Sequence, residues 1–382
     1  MTNDSPPDHR TPGQLISELL EARGWSQRVL AIVLGMDVAI INRIVSGKTT
    51  VDAERALALG EVLGVPAERF LSLQSAYDLA RARIVTRPDP GREMRAYLFG
   101  GLPIAEMIKR GWLMADDVRQ VPQVEKALAK FFGVGSTSEI EILPHAAKKT
   151  NVVGNVTPIQ LAWIYRVKQI ASEMIVGRYS PSAVRDALPR LKSLLSAPEE
   201  ARHVPRILDQ AGIRFVIVES LASAKIDGVC LWLNDTSPVI GMSLRYDRMD
   251  NFWFVLRHEI EHVLRLDGRT SIMLDADIEG QGAGVDSIVP DEERVANEAA
   301  AEFCVPQQSI DRFIARKSPF FAERDILGFA RTLQIHPAFV AGQLQRKTGR
   351  YDRFRSHQCK VRSFVTPSAQ VDGWGNVAPV DE

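Results

Sequence analysis

Phe252-Trp253-Phe254-Val255-Leu256-Arg257-His258-Glu259-Ile260-Glu261-His262-Val263-Leu264 is the stretch on which the reading of this 382-residue chain turns. An apolar run leads into a His-Glu-x-x-His pattern, and the spacing predicts a buried helix. At 3.6 residues per turn, His258 and His262 fall one above the other on one face. Their imidazoles can share one tetrahedral Zn2+ at ~2.0–2.1 Å. Glu259 stands beside the pair, placed to accept a proton from a water held there. Three fixed positions also arise by chance in a charged helix. The apolar flank argues against chance, because a buried His-Glu-His trio is costly without a metal or other partners.

A third ligand is needed. Val263 to Arg269 offers no histidine and the next one along the chain is His336, which leaves a carboxylate. Asp291-Glu292-Glu293-Arg294-Val295-Ala296-Asn297 opens a helix after Pro290. Glu293 and Asn297 lie one turn apart on one face, so Glu293 can ligate zinc while Asn297 orients a ligand from behind. Acidic residues in a first turn also stabilise a helix dipole with no metal at all. Ala296, Ala299, Ala300 and Phe303 supply the packing side, and Pro306 stops the helix. The long segment from Asp267 to Val289, with Asp275, Asp277, Gly280, Gly282, Gly284 and Asp286, reads as a lid, a binding loop or a solvated connection.

His258-Glu259-Ile260-Glu261-His262, followed about thirty residues later by Glu293-Arg294-x-Ala296-Asn297-x-x-Ala300-Ala301-Glu302-Phe303-x-x-Pro306, resembles the ImmA/IrrE family of metallo-endopeptidases. The run Ser243-Leu244-Arg245-Tyr246-Asp247-Arg248-Met249-Asp250 and the strands before it agree with that family, and the resemblance spans roughly residues 200–350. It implies a gluzincin-like zinc domain with a small sheet and with Glu293 as third ligand. It also implies a zinc-dependent endopeptidase that cuts a repressor- or antitoxin-type protein, so controlling stress, mobile-element, toxin–antitoxin or phage-defence genes. Val295 and Ala299 depart from the acidic and aromatic residues more usual there. Tyr246 and Arg257 are possible oxyanion donors, although surface or interface polarity is the favoured reading for both.

Upstream of that domain, Ile213–Val218, Val229–Leu233 and Val239–Leu244 read as strands. Residues 84–200 read as a helical linker or middle domain whose clearest helix runs from Pro158 to Val176. Trp112, Phe131, Phe132 and Trp163 belong there to a core rather than to a ligand platform. His145, His203, His336 and His357 stand at no ligand spacing and receive no role.

The amino-terminal part reads as short helices separated by glycine turns: Gly13–Ala22, Gln27–Leu34 after Ser26, a third through Val45 capped by Asp37, then Ala53–Leu63 and Ala67–Ala82. Two short helices joined at Gly35 inside such a bundle form the layout of a helix-turn-helix domain. Ser26-Gln27-Arg28-Val29-Leu30-Ala31, Ala53 to Leu59 and Leu71 to Ala80 resemble the XRE family, in particular its HigA-like antitoxin branch. Operator DNA and a toxin are the partners this implies. Asn42 and Arg43 can reach bases, while Gln27, Lys48, Thr49 and Thr50 can contact phosphates. Residues 1–70 hold seven basic and nine acidic side chains, a net of −2, so counterion release drives DNA binding weakly. The alternative is a bundle that docks protein, including a second copy as a homodimer.

Composition sets the outer limits. Net charge is zero from 47 basic and 47 acidic residues, which excludes a globally basic nucleic-acid binder. No apolar run reaches membrane-spanning length, and the start of the chain lacks a signal peptide's pattern. Cys230, Cys304 and Cys359 are widely separated, which argues against a disulfide framework or a cysteine zinc site and favours a cytoplasmic setting. The expected architecture is multidomain and mainly α with a small α+β part. It comprises a flexible tail over 1–12, the helix-turn-helix domain over 13–83, the helical middle region over 84–200, the metallopeptidase-like domain over 201–350 and a carboxy-terminal tail over 351–382. The rival to a peptidase is a DNA-binding regulator or antitoxin whose zinc domain is a sensor or scaffold.

Overall fold

The structure, a computed structural model, describes residues 10–86, 89, 91–140, 156–269, 272–276 and 291–378. The chain divides into two units, Met1–Arg92 and Glu93–Glu382. Residues 1–9 of the expected tail, three residues of the expected linker (87, 88 and 90), His145 and most of the glycine- and aspartate-bearing loop before Asp291 lie outside the described residues.

The first unit is five helices: α1 (Pro12–Ala22), α2 (Gln27–Leu34), α3 (Val38–Val45), α4 (Ala53–Leu63) and α5 (Ala67–Val85). Side-chain caps set where they begin. Ser26 accepts from Val29 N, Asp37 from Ala39 N and Asp52 from Arg55 N. Gly35 and Gly64 close α2 and α4 in the left-handed conformation that glycine adopts without penalty. Leu15, Ile16, Leu30, Ile41, Leu59, Leu63 and Phe70 form the core. The tail expected over 1–12 ends earlier. Thr11 and Gln14 make a reciprocal capping box, so Pro12 is already the first residue of α1.

The second unit continues with α6 (Arg92–Gly101), α7 (Ile104–Lys109), α8 (Val121–Phe132), α9 (Pro158–Glu173), α10 (Pro181–Ser193) and α11 (Val204–Gln210). A five-stranded mixed sheet follows, built from β1 (Arg214–Val218), β2 (Ile226–Trp232), β3 (Pro238–Met242), β4 (Met273–Ala276) and β5 (Gln370–Asp372), in spatial order β4-β2-β3-β1-β5. The motif helix α12 (Met249–Arg265) precedes β4. After it come α13 (Asp291–Cys304), α14 (Gln307–Lys317), α15 (Glu323–Leu333), α16 (Pro337–Thr348) and α17 (Arg362–Val365).

Both faces of the sheet are buried, with the period of two that strands impose. Phe215, Ile217, Cys230, Ile240 and Met242 pack with α12 and its neighbours. Val216, Val218, Val229, Leu231 and Val239 pack with α9 and the helices before it. Glycines admit the closest approaches on each side. A Cβ on Gly241 would stand 2.7 Å from Val167 Cγ1 of α9, and one on Gly228 would stand 2.1 Å from Glu259 Oε1 of α12.

Two expectations are corrected here. The middle domain expected over 84–200 does not stand apart: its described residues from Glu93 onward belong to the second unit, and Leu161, Trp163, Ile164 and Val167 of α9 share a core with the strands. Trp163 Nε1 donates to Val218 O at 3.0 Å. The clearest helix also stops at Glu173, with Met174 extended, short of Val176. The described residues of the carboxy-terminal tail expected over 351–382, up to 378, pack onto the second unit. β5 adds to β1 in parallel, and its Asp372 is buried, accepting from Arg166 Nε at 2.5 Å and from Trp112 Nε1 at 3.1 Å. Arg166 also reaches Ala378 O at 3.1 Å. A polar, glycine-rich composition hid a segment held by one buried charge pair.

Breaking that pair leaves Arg166 buried without its counter-charge, a loss of about 3–5 kcal/mol. Asp372→Ala should therefore lower the denaturation midpoint of the second unit and leave that of the first unchanged, as read by two-transition calorimetry. An unchanged upper or lower transition on both units would remove β5 from the fold's stability.

Cys230 and Cys304 are buried and Cys359 is half-buried, all three unbridged. Burial pushes the Cys359 thiol up to about 11, keeping it neutral. No helix among the described residues is long and apolar enough to cross a membrane.

Candidate functional site

α12 is buried along most of its length because it lies between the sheet and α13. His258, Glu259 and His262 are each 0% exposed. Across from them, α13 approaches closely through Ala296 and Ala300, and the two helices run antiparallel, with Trp253 near Phe303 and the histidines near Glu293. Of the two first-turn glutamates, Glu292 is exposed while Glu293 turns inward. His258 Nε2 and His262 Nε2 lie 2.9 Å apart. Glu293 Oε2 is 3.2 Å from His258 Nε2, and Glu293 Oε1 is 3.6 Å from His262 Nε2. One ligand atom from each of the three lies within 4.8 Å of the others.

The donor set can be tested for a metal on its own chemistry. His262 Nδ1 sits 3.0 Å from Asp267 Oδ2. A carboxylate there takes the Nδ1–H, which fixes the tautomer and leaves the Nε2 lone pair facing His258 and Glu293. Ring nitrogens and carboxylate oxygens then converge where both imidazoles are fully buried and Glu293 is 20% exposed, an arrangement a divalent cation relieves. Nitrogens each ~2.0–2.1 Å from one ion stand roughly 3 Å apart, as these do. Two imidazoles and one carboxylate match a catalytic zinc set with a position left open. The residues fit the metal.

Asp267 is the member of the site that sequence reasoning missed, having been assigned to the following loop. Leu266 ends α12 in the left-handed region at φ 64°, and Asp267 N donates to His262 O at 2.9 Å. The chain thereby doubles back and brings the carboxylate to the imidazole. Gly268, at φ 70°, then passes where a Cβ would meet Cys230 O at 2.9 Å. The available signal was Asp-Gly directly after the last helical turn. Loss of such a carboxylate typically costs 10–100-fold in metal affinity. Asp267→Ala should weaken zinc binding by about that factor in competition with a chromophoric chelator, with the circular dichroism unchanged. Equal affinity would show that the His262–Asp267 contact does not orient the ring.

The expected role of Asn297 is not made. Its Oδ1 is buried without a hydrogen-bond partner among the described residues, and Asp267 occupies the orienting position instead. Of the two possible oxyanion donors, Arg257 donates from Nη2 to Glu261 Oε2 at 2.7 Å, and Tyr246 Oη accepts from Arg245 Nη2 at 2.5 Å. Trp112, Phe131, Phe132 and Trp163 are buried in core, as expected. His336 caps α16 by accepting from Ala338 N.

In the first unit, Asn42 and Arg43 are exposed on α3. Lys48 N and Thr49 N both donate to Arg43 O, at 2.8 and 3.0 Å, which folds Lys48 and Thr49 back beside the end of that helix. Lys48 and Thr50 are exposed and Thr49 is half-buried. Gln27 opens α2, half-buried, with Oε1 lacking a partner among the described residues. α2 also exposes Ile32 and Val33.

Comparison with known proteins places the first unit. A family model described as helix-turn-helix matches residues 16–70. The uncharacterized HTH-type transcriptional regulator YddM of Escherichia coli (strain K12) is 32% identical over 75 residues, covering 20% of this chain and 80% of that protein. Virulence-associated protein I of Dichelobacter nodosus is 36% identical over 81 residues, covering 21% of this chain and 73% of that protein. Among solved structures, an addiction module antidote protein of a HigA family from Coxiella burnetii is 26% identical, covering 20% of this chain and 95% of that one at a TM-score of 0.18.

Proposed function

The chain belongs to the helix-turn-helix family through its amino-terminal unit, and from that premise we propose that it is a regulator of gene expression carrying a zinc-dependent endopeptidase. The first unit binds operator DNA. The second, of ImmA/IrrE type, cleaves a repressor- or antitoxin-type protein. One observation carries the peptidase reading: His258, His262 and Glu293 converge, and Glu259, the residue after His258 on α12, is fully buried with its carboxylate against Gly228.

His258, His262 and Glu293 would hold Zn2+, which supplies Lewis-acid polarisation of the peptide carbonyl. Glu259 accepts the proton of the water that adds to that carbonyl and passes it to the departing amine, so the C–N bond breaks as a C–O bond forms. Gly228 leaves the space that the Glu259 carboxylate occupies, and burial excludes bulk water from the proton's path. Asp267 keeps the His262 ring in its ligating tautomer.

Incubation of the zinc-loaded chain with the product of the neighbouring gene tests this reading. Cleavage that a chelator stops supports it. Bound zinc without cleavage of that product or of casein leaves the rival regulator or antitoxin, with the metal domain as sensor or scaffold.

The DNA half has its own test. In fluorescence anisotropy with the DNA upstream of its own gene, Arg43→Ala should weaken specific binding by about 1–3 kcal/mol. Lys48→Ala should weaken all sequences alike and reduce the salt slope by about one. Binding to no DNA at low salt would give the first unit to protein docking, in keeping with its net charge of −2.

A further inference from the structure

A cleft of about 620 Å³ opens in the second unit between α13 and α16. Asn297, Gln343 and Arg346 are among its walls. Its position relative to the metal ligands follows from the helices. Phe254 lies one turn before His258 on α12, and Asn297 lies one turn after Glu293 on α13. Because these helices are antiparallel, both residues fall on the same side of the convergence point, about 6 Å along it. α16 passes close to the start of α12 at Gly342, where a Cβ would stand 2.2 Å from Asp250 Oδ2. The next turn sets the Arg346 guanidinium 4.8 Å over the Phe254 ring.

The walls carry unsatisfied hydrogen-bonding groups. Gln343 is 6% exposed, and its carboxamide makes no hydrogen bond among the described residues. Asn297 Oδ1 is buried and also unpartnered among them. Two carboxamides presented to one cleft suit the alternating N–H and C=O groups of an extended peptide.

The charges are not equivalent. Arg294 is held by Asp291 and Glu298, Lys347 by Asp311, and Glu302 accepts from Gln307 N. Arg346 meets no carboxylate among the described residues. A guanidinium held over an aromatic face, with no carboxylate taking its N–H groups, can bind a carboxylate in bidentate fashion.

Resting on the peptidase reading above, we propose that this cleft reads the substrate: an extended peptide bearing an acidic side chain, which Arg346 binds while Asn297 and Gln343 hold the main chain.

The test is affinity selection, which needs no turnover. The full chain carrying Glu259→Gln is mixed with an equimolar pool of randomised, carboxy-amidated decapeptides, and the retained peptides are sequenced by mass spectrometry. Retained peptides should be enriched in Asp or Glu at one position by roughly tenfold. Arg346→Met should abolish the enrichment and Arg346→Lys should keep part of it. A parallel pool with free carboxy termini separates side-chain from terminal carboxylate recognition. Enrichment for the free terminus alone, no enrichment, or enrichment that survives Arg346→Met each overturns the proposal. Zinc content and casein cleavage by the unsubstituted chain are measured alongside. An active zinc enzyme without acidic selection defeats this inference alone. Acidic selection on a chain that binds no zinc defeats only the peptidase reading.

Discussion

Replacing Glu259 by Gln should reduce peptide-bond cleavage by about 10²–10⁴ and leave the zinc content unchanged. The substitution keeps shape and volume in a place with no room to spare. Glu259 is fully buried, and the strand opposite it has given up a side chain at Gly228. It removes only the capacity to take and return a proton. Glu259 is not one of the three converging ligands, so metal uptake is a built-in control. Gly228→Ala attacks the same role from the other side. Its Cβ would require Glu259 Oε1 to leave a position 2.1 Å away, and the predicted outcome is again loss of cleavage with metal retained. If Glu259→Gln cleaves at the parent rate, the proton-transfer assignment is wrong, whatever the metal does.

The second large effect is on the metal itself. His258→Ala and His262→Ala should each take zinc from about one equivalent to near none, by elemental analysis of protein never exposed to chelator. A ligand that binds only the folded state stabilises it by RT ln(1 + [L]/Kd), about 4 kcal/mol at a free concentration a thousandfold above Kd. The second unit should therefore unfold at a markedly lower temperature, while the helix-turn-helix unit, which contributes no ligand, stays where it was. Stripping zinc from the unsubstituted chain should reproduce the shift. That comparison separates metal loss from the cavity a truncated imidazole leaves. Full zinc occupancy in both variants would place the ion elsewhere.

Much of this was legible in the sequence because it is local. The bounds of α2, α3 and α4 follow from Ser26, Gly35, Asp37, Asp52 and Gly64, residues whose backbone chemistry acts within a turn. The pairing of His258 with His262 needs only helical period, and Glu293 needs only a second helix whose first turn faces the first. What stayed hidden depends on distant partners. Met273–Ala276 and Gln370–Asp372 are too short to show alternation and become strands only beside β2 and β1. Asp267 joins the site through a left-handed residue, Leu266, a conformation that leucine's composition does not announce. The division at residue 200 failed because Val167 and Trp163 look like the core of a helical bundle until Gly241 and Val218 are seen against them.

The attachment of β5 carries a consequence for biosynthesis. A strand at 370–372 completes a sheet begun at 214, so the second unit cannot close its outer edge until those late residues have left the ribosome. Helices α1–α5 need nothing beyond residue 85 and can fold first. At roughly 5–20 residues per second the interval is tens of seconds. Throughout it the nascent polypeptide presents a finished helix-turn-helix head attached to an unfinished second unit, so under the proposed function it is competent to find DNA before it is competent to cut.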